Sequence, residues 1–250
     1  MADNILEATG LVKQFGGFCA INGIDISVRR GSIHALIGPN GAGKTTVFNL
    51  LTKFLQPTRG SIQYNGQNVT NMRPAAVARM GMVRSFQISA IFPHLSVREN
   101  VKIALQRPLG VSLKFWRSRS CLDNLDERAD SLLDAVGLLE AADRNAGELS
   151  YGRRRALELA TTLGLDPELL LLDEPMAGLG REDIGTVSEL IRKLGGTRTV
   201  LMVEHNLSVV AALSDVITVM ARGRKIAEGS YEEVSRDPEV RTAYIGGGHA

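Results

Sequence analysis

Cysteine, long apolar runs, a large net charge and repeats are all scarce or missing in this 250-residue chain, and each scarcity removes a class of function. Its two cysteines, Cys19 and Cys121, lie far apart without metal-ligand spacing, which predicts reduced structural thiols in a cytosolic protein rather than a zinc site or disulfide scaffold. No stretch approaches the roughly 20 apolar residues needed to cross a bilayer, so any membrane role is expected to come through a partner. The N-terminal Met-Ala-Asp-Asn lacks a basic segment followed by an apolar one, and no signal peptide is expected. A net charge of +2 does not suggest a nucleic-acid binder. Arg153-Arg154-Arg155 reads instead as the solvated face of a helix. There is no internal repeat and no low-complexity tract. The length suits one α/β domain, or a core with a small subdomain.

What the chain does have is concentrated at Gly38 to Thr46, Gly-Pro-Asn-Gly-Ala-Gly-Lys-Thr-Thr. Two glycines bracket four residues and are followed at once by lysine and a hydroxyl, the phosphate-loop pattern. Gly38, Gly41 and Gly43 let the backbone N–H groups around Asn40, Ala42 and Thr46 turn toward a polyphosphate. Lys44 brings positive charge to the β- and γ-phosphates, and Thr45 offers its hydroxyl to Mg²⁺. The flanks fit: Ile33 to Ile37 reads as a buried strand, and Val47, Leu50, Leu51 and Phe54 fall at helical spacing up to Pro57. A helix N-terminus adds its positive dipole end to such an anion site.

Elsewhere the pattern changes twice. The first third is strand-rich, with alternation over Ile21 to Val28, an Asn65-Gly66 hairpin signal and a short strand from Met82. The middle third turns helical: Ser96 and Glu99 form a capping-box pair, and Leu125, Leu132, Leu133 and Val136 precede a closing Gly137. The last third alternates buried strands (Leu169 to Leu172, Thr199 to Val203, Val216 to Met220) with a helix over Ile184 to Leu194, which predicts a parallel sheet covered on both faces. Asp173 and Glu174 close the first of these strands, where open α/β sheets bind ligands. Asp173 can enter the Mg²⁺ shell, and Glu174 can polarise a water for in-line attack on the γ-phosphate.

Leu149-Ser150-Tyr151-Gly152-Arg153 decides among phosphate-loop proteins. With it the chain resembles the nucleotide-binding subunit of ATP-binding cassette (ABC) transporters, whose signature runs Leu-Ser-Gly-Gly-Gln. The resemblance covers essentially the whole chain. It implies a RecA-like P-loop NTPase core with an N-terminal antiparallel β subdomain and an inserted helical subdomain, forming one cassette over residues 4–246. Residues 1–87 and 161–230 would form the core and β subdomain, 88–160 the helical signature subdomain and 231–250 a short tail. The cofactors implied are ATP and Mg²⁺. Phe15 would stack on adenine, Gln87 would sense Mg²⁺ and the attacking water, and His205 would contact the γ-phosphate. Ser150, Tyr151 and Gly152 would close the site of a second copy or a related subunit. Within the family, Asp173-Glu174-Pro175-Met176-Ala177-Gly178-Leu179, Val203-Glu204-His205-Asn206 and the tail from Asp237 to Gly246 look like importers of branched-chain amino acids and related amides or urea. That branch implies a transmembrane permease, a second ATPase subunit and, indirectly, a substrate-binding protein, with the chain peripheral on the cytoplasmic face.

Three positions depart from the pattern: Tyr151 replaces the signature's first glycine, Arg153 its glutamine, and Gly180 an aspartate common after Asp-Glu-Pro. Binding and turnover are expected to survive them, with looser coupling between the two sites of a dimer. Val111 to Cys121 interleaves Phe115 and Trp116 with basic residues and is expected near the membrane partner or folded on its own core. The competing class is a non-transport ABC ATPase clamping ribosome or DNA, but paired cassettes or long coiled-coil insertions are missing.

Overall fold

A computed structural model of the chain describes residues 3–85, 91–107 and 120–245. Gln87 and the aromatic pair Phe115 and Trp116 lie outside the described residues. The chain forms two compact units, Met1–Arg84 with Glu168–Pro175 and Ile191–Ala250, and Ser85–Pro167 with Met176–Leu190.

The first unit contains two sheets. One is antiparallel, built from β1 (Asn4–Phe15), β2 (Phe18–Arg29), β4 (Arg59–Tyr64) and β5 (Gln67–Asn68) in the order β2-β1-β4-β5. The other holds β3 (Ile33–Ile37), β6 (Met82–Ser85), β7 (Leu169–Asp173), β8 (Thr199–Val203), β9 (Val216–Ala221) and β10 (Arg224–Gly229), in the order β10-β9-β3-β8-β7-β6. All residues of β3, β7 and β8 are buried and these strands pair in parallel, as continuous apolar runs require. The Asn65-Gly66 turn joins β4 to β5 with φ of 49° and 72°, the left-handed pair of a type I′ hairpin. Helix α1 (Lys44–Leu51) is apolar around much of its circumference because it enters the core shared with both sheets: Phe48, Leu50 and Leu51 pack in one cluster with Ile24, Ile26, Ile62 and Leu36.

Helix α1 stops earlier than its apolar spacing predicts. Lys53 turns into the left-handed region at φ 67°, Leu55 N–H bonds Asn49 O at 2.9 Å, and Phe54 ends outside the helix and largely exposed. A position of this kind ordinarily holds glycine. Lys53 is also only 3% exposed, burial lowers its pKa to about 8, and its ammonium has no hydrogen-bond partner among the described residues. Lys53→Gly removes about 1–2 kcal/mol of left-handed backbone cost and a buried ammonium against the loss of its packed stem, so a urea midpoint at or above the parent's is expected. A lower urea midpoint in the variant would contradict this.

His34 on β3 is buried, with Nε2 2.8 Å from Thr218 Oγ1, which donates to Glu228 Oε2 at 2.6 Å. Burial lowers its pKa to about 4 against the opposing pull of Glu228. The unfolded chain thus takes up this proton at higher pH than the folded one. The corresponding stability is complete above about pH 6.5 and is lost as pH falls toward 4, by about 3 kcal/mol at about 1.4 kcal/mol per pH unit. Denaturant midpoints between pH 7 and 4.5 should show this slope, and His34→Gln should flatten it.

Helix α2 (Pro74–Arg79) starts with proline at its first turn. The second unit is helical: α3 (Val97–Gln106), α4 (Ser120–Ala135) and α5 (Tyr151–Leu163) pack on one another, and Val97, Val101, Leu105, Leu125, Leu133 and Leu157 are buried. The capping box forms, with Ser96 Oγ accepting from Glu99 N–H and Glu99 Oε2 from Ser96 N–H at 2.7 Å. Gly137 at φ 69° ends α4. Helix α6 (Arg181–Gly195) begins in this unit and ends in the first, which also carries α7 (Leu207–Leu213), α8 (Tyr231–Arg236) and α9 (Pro238–Ile245). No helix among the described residues is long and apolar enough to cross a membrane.

Candidate functional site

Strand register places the site. Leu36 of β3 pairs with Val203 of β8, and Val203 pairs with Asp173 of β7. The loop after β3, the Asp173-Glu174 pair and the turn carrying His205 consequently leave the parallel sheet at one edge, within two strand spacings of about 5 Å each.

Two of the loop's glycines sit where a side chain would be strained, Gly43 by its backbone conformation and Gly38 by a backbone neighbour. At Gly43, φ is 100° and a Cβ would come 2.7 Å from Ile21 Cδ1; at Gly38 it would come 2.2 Å from Met220 O. Helix α1 starts at Gly43 without any side-chain cap, leaving its first N–H groups available to an anion. Lys44 is buried, its Nζ donating to Gly38 O at 2.7 Å and Pro39 O at 3.0 Å; burial lowers its pKa, while Glu174 raises it. Thr45 is exposed and Thr46 half-buried at the helix start. Asn40, Gly41 and Ala42 line a cavity of about 710 Å³ with Arg222, Arg224, Glu239 and Thr242.

Asp173 is buried and its Oδ2 accepts from Arg84 Nη2 in an ion pair. Glu174, half-buried, has φ 47° and donates its N–H to Val203 O at 3.0 Å. A left-handed, non-glycine residue that the surrounding sheet holds in place is typical of functional positions. His205 is exposed, and the buried Glu204 fixes its turn: Oε2 accepts from the N–H of His205 at 3.0 Å and of Asn206 at 3.2 Å. Phe15 ends β1 directly opposite Phe18 across the Gly16-Gly17 turn, and Lys13 Nζ lies 5.1 Å from its ring centroid. Both phenylalanines are exposed, leaving aromatic surface for a base.

In the second unit, Ser150 caps α5 and its Oγ accepts from Arg153 N–H. Tyr151 donates to Ala177 O at 3.2 Å and accepts from Arg155 at 3.2 Å. Gly152 is buried, and a Cβ there would meet the Asp183 carboxyl at 2.2 Å. The expected solvated arginine face is corrected: successive helical residues point about 100° apart, so Arg153 is exposed while Arg155 is buried in a 2.8 Å pair with Glu158. Cys19 likewise proves exposed, its Sγ donating to Ile21 O at 3.2 Å.

The structure thus brings Gly38, Lys44, Thr45, Asp173, Glu174 and His205 to one sheet edge. It adds two residues that the motifs did not assign, Arg84 and Glu204. A charge following the buried Met82-Val83 pair in the short β6 was the available signal for Arg84. Among the described residues no three of His, Cys, Asp and Glu gather as a metal cage. One carboxylate and one hydroxyl near a phosphate loop nevertheless fit Mg²⁺, which takes its remaining ligands from phosphate and water.

Residues 21–177 match the family described as ABC transporter, and residues 224–250 match one described as branched-chain amino acid ATP-binding cassette transporter. The chain is 40% identical to the high-affinity branched-chain amino acid transport ATP-binding protein LivG of Salmonella typhimurium, covering 98% of this chain and 99% of that one. Its identity to BraF of Pseudomonas aeruginosa, a protein of the same description, is 39%, with the same coverage of each chain. Among solved structures, the ADP conformation of MJ1267, an ATP-binding cassette of an ABC transporter, superposes with a TM-score of 0.85 at 32% identity, covering 97% of this chain and 99% of that one.

Proposed function

Because the chain belongs to the ABC transporter family, as an ATP-binding subunit that couples ATP hydrolysis to transport, we propose that it serves an importer of branched-chain amino acids or related amino acids and amides. The observation that carries the catalytic reading is the register of Leu36, Val203 and Asp173, which gathers phosphate loop, carboxylates and histidine at one edge. The branch rests on the C-terminal match over residues 224–250.

In this reading adenine stacks on Phe15, while Lys44 and the N–H groups from Gly38 to Thr46 hold the phosphates. Thr45 and Asp173, with Gln87, would hold Mg²⁺, which would neutralise phosphate charge. Glu174 takes a proton from the attacking water, and His205 contacts the γ-phosphate. Ser150, Tyr151 and Gly152 of a second copy or related subunit complete each site, so closure requires association. Residues 88–160 form the helical subdomain that meets a membrane-spanning permease, and residues 1–87 with 161–230 form the catalytic core. The subunit sits on the cytoplasmic face, and a substrate-binding protein acts on the permease's other side.

Co-purification with the candidate permease, followed by ATPase measurement in proteoliposomes, tests the proposal. Stimulation by a branched-chain amino acid delivered with its binding protein is expected. An ATPase rate indifferent to every amino acid and amide would overturn the branch assignment.

A further inference from the structure

Arg84 occupies a prepared seat. It leaves β6 with its side chain 12% exposed and divides its guanidinium between two partners, Nη1 donating to Asn49 Oδ1 at 2.6 Å and Nη2 to Asp173 Oδ2. The guanidinium carbon lies 5.7 Å from the Phe48 ring centroid and 6.0 Å from that of Phe54. Asp173 opposite is 3% exposed. Two aromatic faces and a two-point fork fix the cation in plane and direction, a geometry that a lysine ammonium does not reproduce.

Stability is a weak explanation for such a pair. Two largely desolvated charges recover their hydration loss only with full hydrogen bonding, and a packed apolar pair does as well or better. Here Arg84 Nε is buried without a partner among the described residues. What the pair does accomplish is orientation. With Oδ2 engaged by Arg84, the Asp173 carboxylate cannot rotate freely, and this bond does not occupy Oδ1. Carboxylates that ligate metals are characteristically held by such outer partners, whose loss costs roughly 10–100-fold in metal affinity.

We propose that Arg84, seated on Phe48, Phe54 and Asn49, is a positioning residue that holds the Asp173 carboxylate in the orientation that receives a divalent cation. It sets how tightly the nucleotide site takes Mg²⁺ without touching nucleotide itself. This rests on the reading of Asp173 as a Mg²⁺ ligand, and the test separates the two.

The full-length protein is loaded with the fluorescent nucleotide MANT-ADP in EDTA and then titrated with buffered Mg²⁺. For Arg84→Met the half-saturating Mg²⁺ should rise about 10–100-fold, while MANT-ADP affinity in EDTA stays within about twofold of the parent. Arg84→Lys keeps the charge, protecting against misfolding, but reaches only one of the two partners, so its midpoint should fall between parent and Arg84→Met. Asp173→Asn is the reference. If its midpoint rises and those of both Arg84 variants stay at or below the parent value, Arg84 has no positioning role. If Asp173→Asn itself leaves the midpoint unmoved, the assignment of Asp173 fails and the proposal goes with it.

Discussion

Glu174→Gln is expected to bind ATP as the parent does and to lose turnover by roughly 10²–10⁴-fold, the contribution of a positioned general base. The replacement is close to isosteric and demands no new backbone conformation. Residue 174 stays at its left-handed φ of 47°, with its N–H on Val203 O, so the phosphate loop across the sheet is undisturbed. What disappears is the carboxylate's ability to take a proton from water. Single-turnover hydrolysis with pre-bound ATP reads the chemical step directly, and equilibrium binding of the same nucleotide reads the rest. Unchanged single-turnover hydrolysis would remove Glu174 from the role of base. Weakened binding with an intact chemical step would move it to a structural one.

Lys44→Ala is expected to act at the other end of the reaction, weakening ATP binding by on the order of 10²-fold or more. Truncating one partner of a buried, hydrogen-bonded charge pair costs about 2–5 kcal/mol, and the triphosphate would lose its buried cation. The fold should tolerate the change. Among the described residues the Lys44 ammonium bonds the carbonyls of Gly38 and Pro39, and burial already disfavours its charge. Calorimetric titration with ATP, paired with a denaturation curve, distinguishes lost affinity from lost structure. An unaltered dissociation constant would mean that the loop's N–H groups bind the phosphates without help.

The sequence was most legible where chemistry and geometry impose the same residues. Position 38 has no room for a side chain beside Met220 O and position 43 holds φ 100°, so a pattern built on those glycines also locates the turn. The buried strands and the capping box at Ser96 were legible for a similar reason, since local composition and tertiary environment agree. Legibility failed where tertiary packing overrode spacing. Phe54 continues the helical periodicity of α1, yet the left-handed turn at Lys53 removes it from the helix and places its ring beside Arg84. Three arginines in a row read as one surface, but helical geometry sends Arg155 inward to Glu158. Arg84 had no motif to announce it, because its partners Asn49 and Asp173 lie 35 and 89 residues away.

One carbonyl joins Glu174 to the strand end that carries His205. Val203 O accepts the N–H that pins Glu174, and two residues farther along the same strand exit stands His205, its turn fixed by Glu204. The backbone of residue 174 is tied to the strand end that leads into His205, so a shift at one position is passed to the other. Treating them as separable parts would therefore mislead. The free-energy losses from altering position 174 and position 205 should fail to add in a double-mutant cycle, as they do for residues that share a backbone anchor, and the size of that shortfall measures the stiffness of the strand end between them.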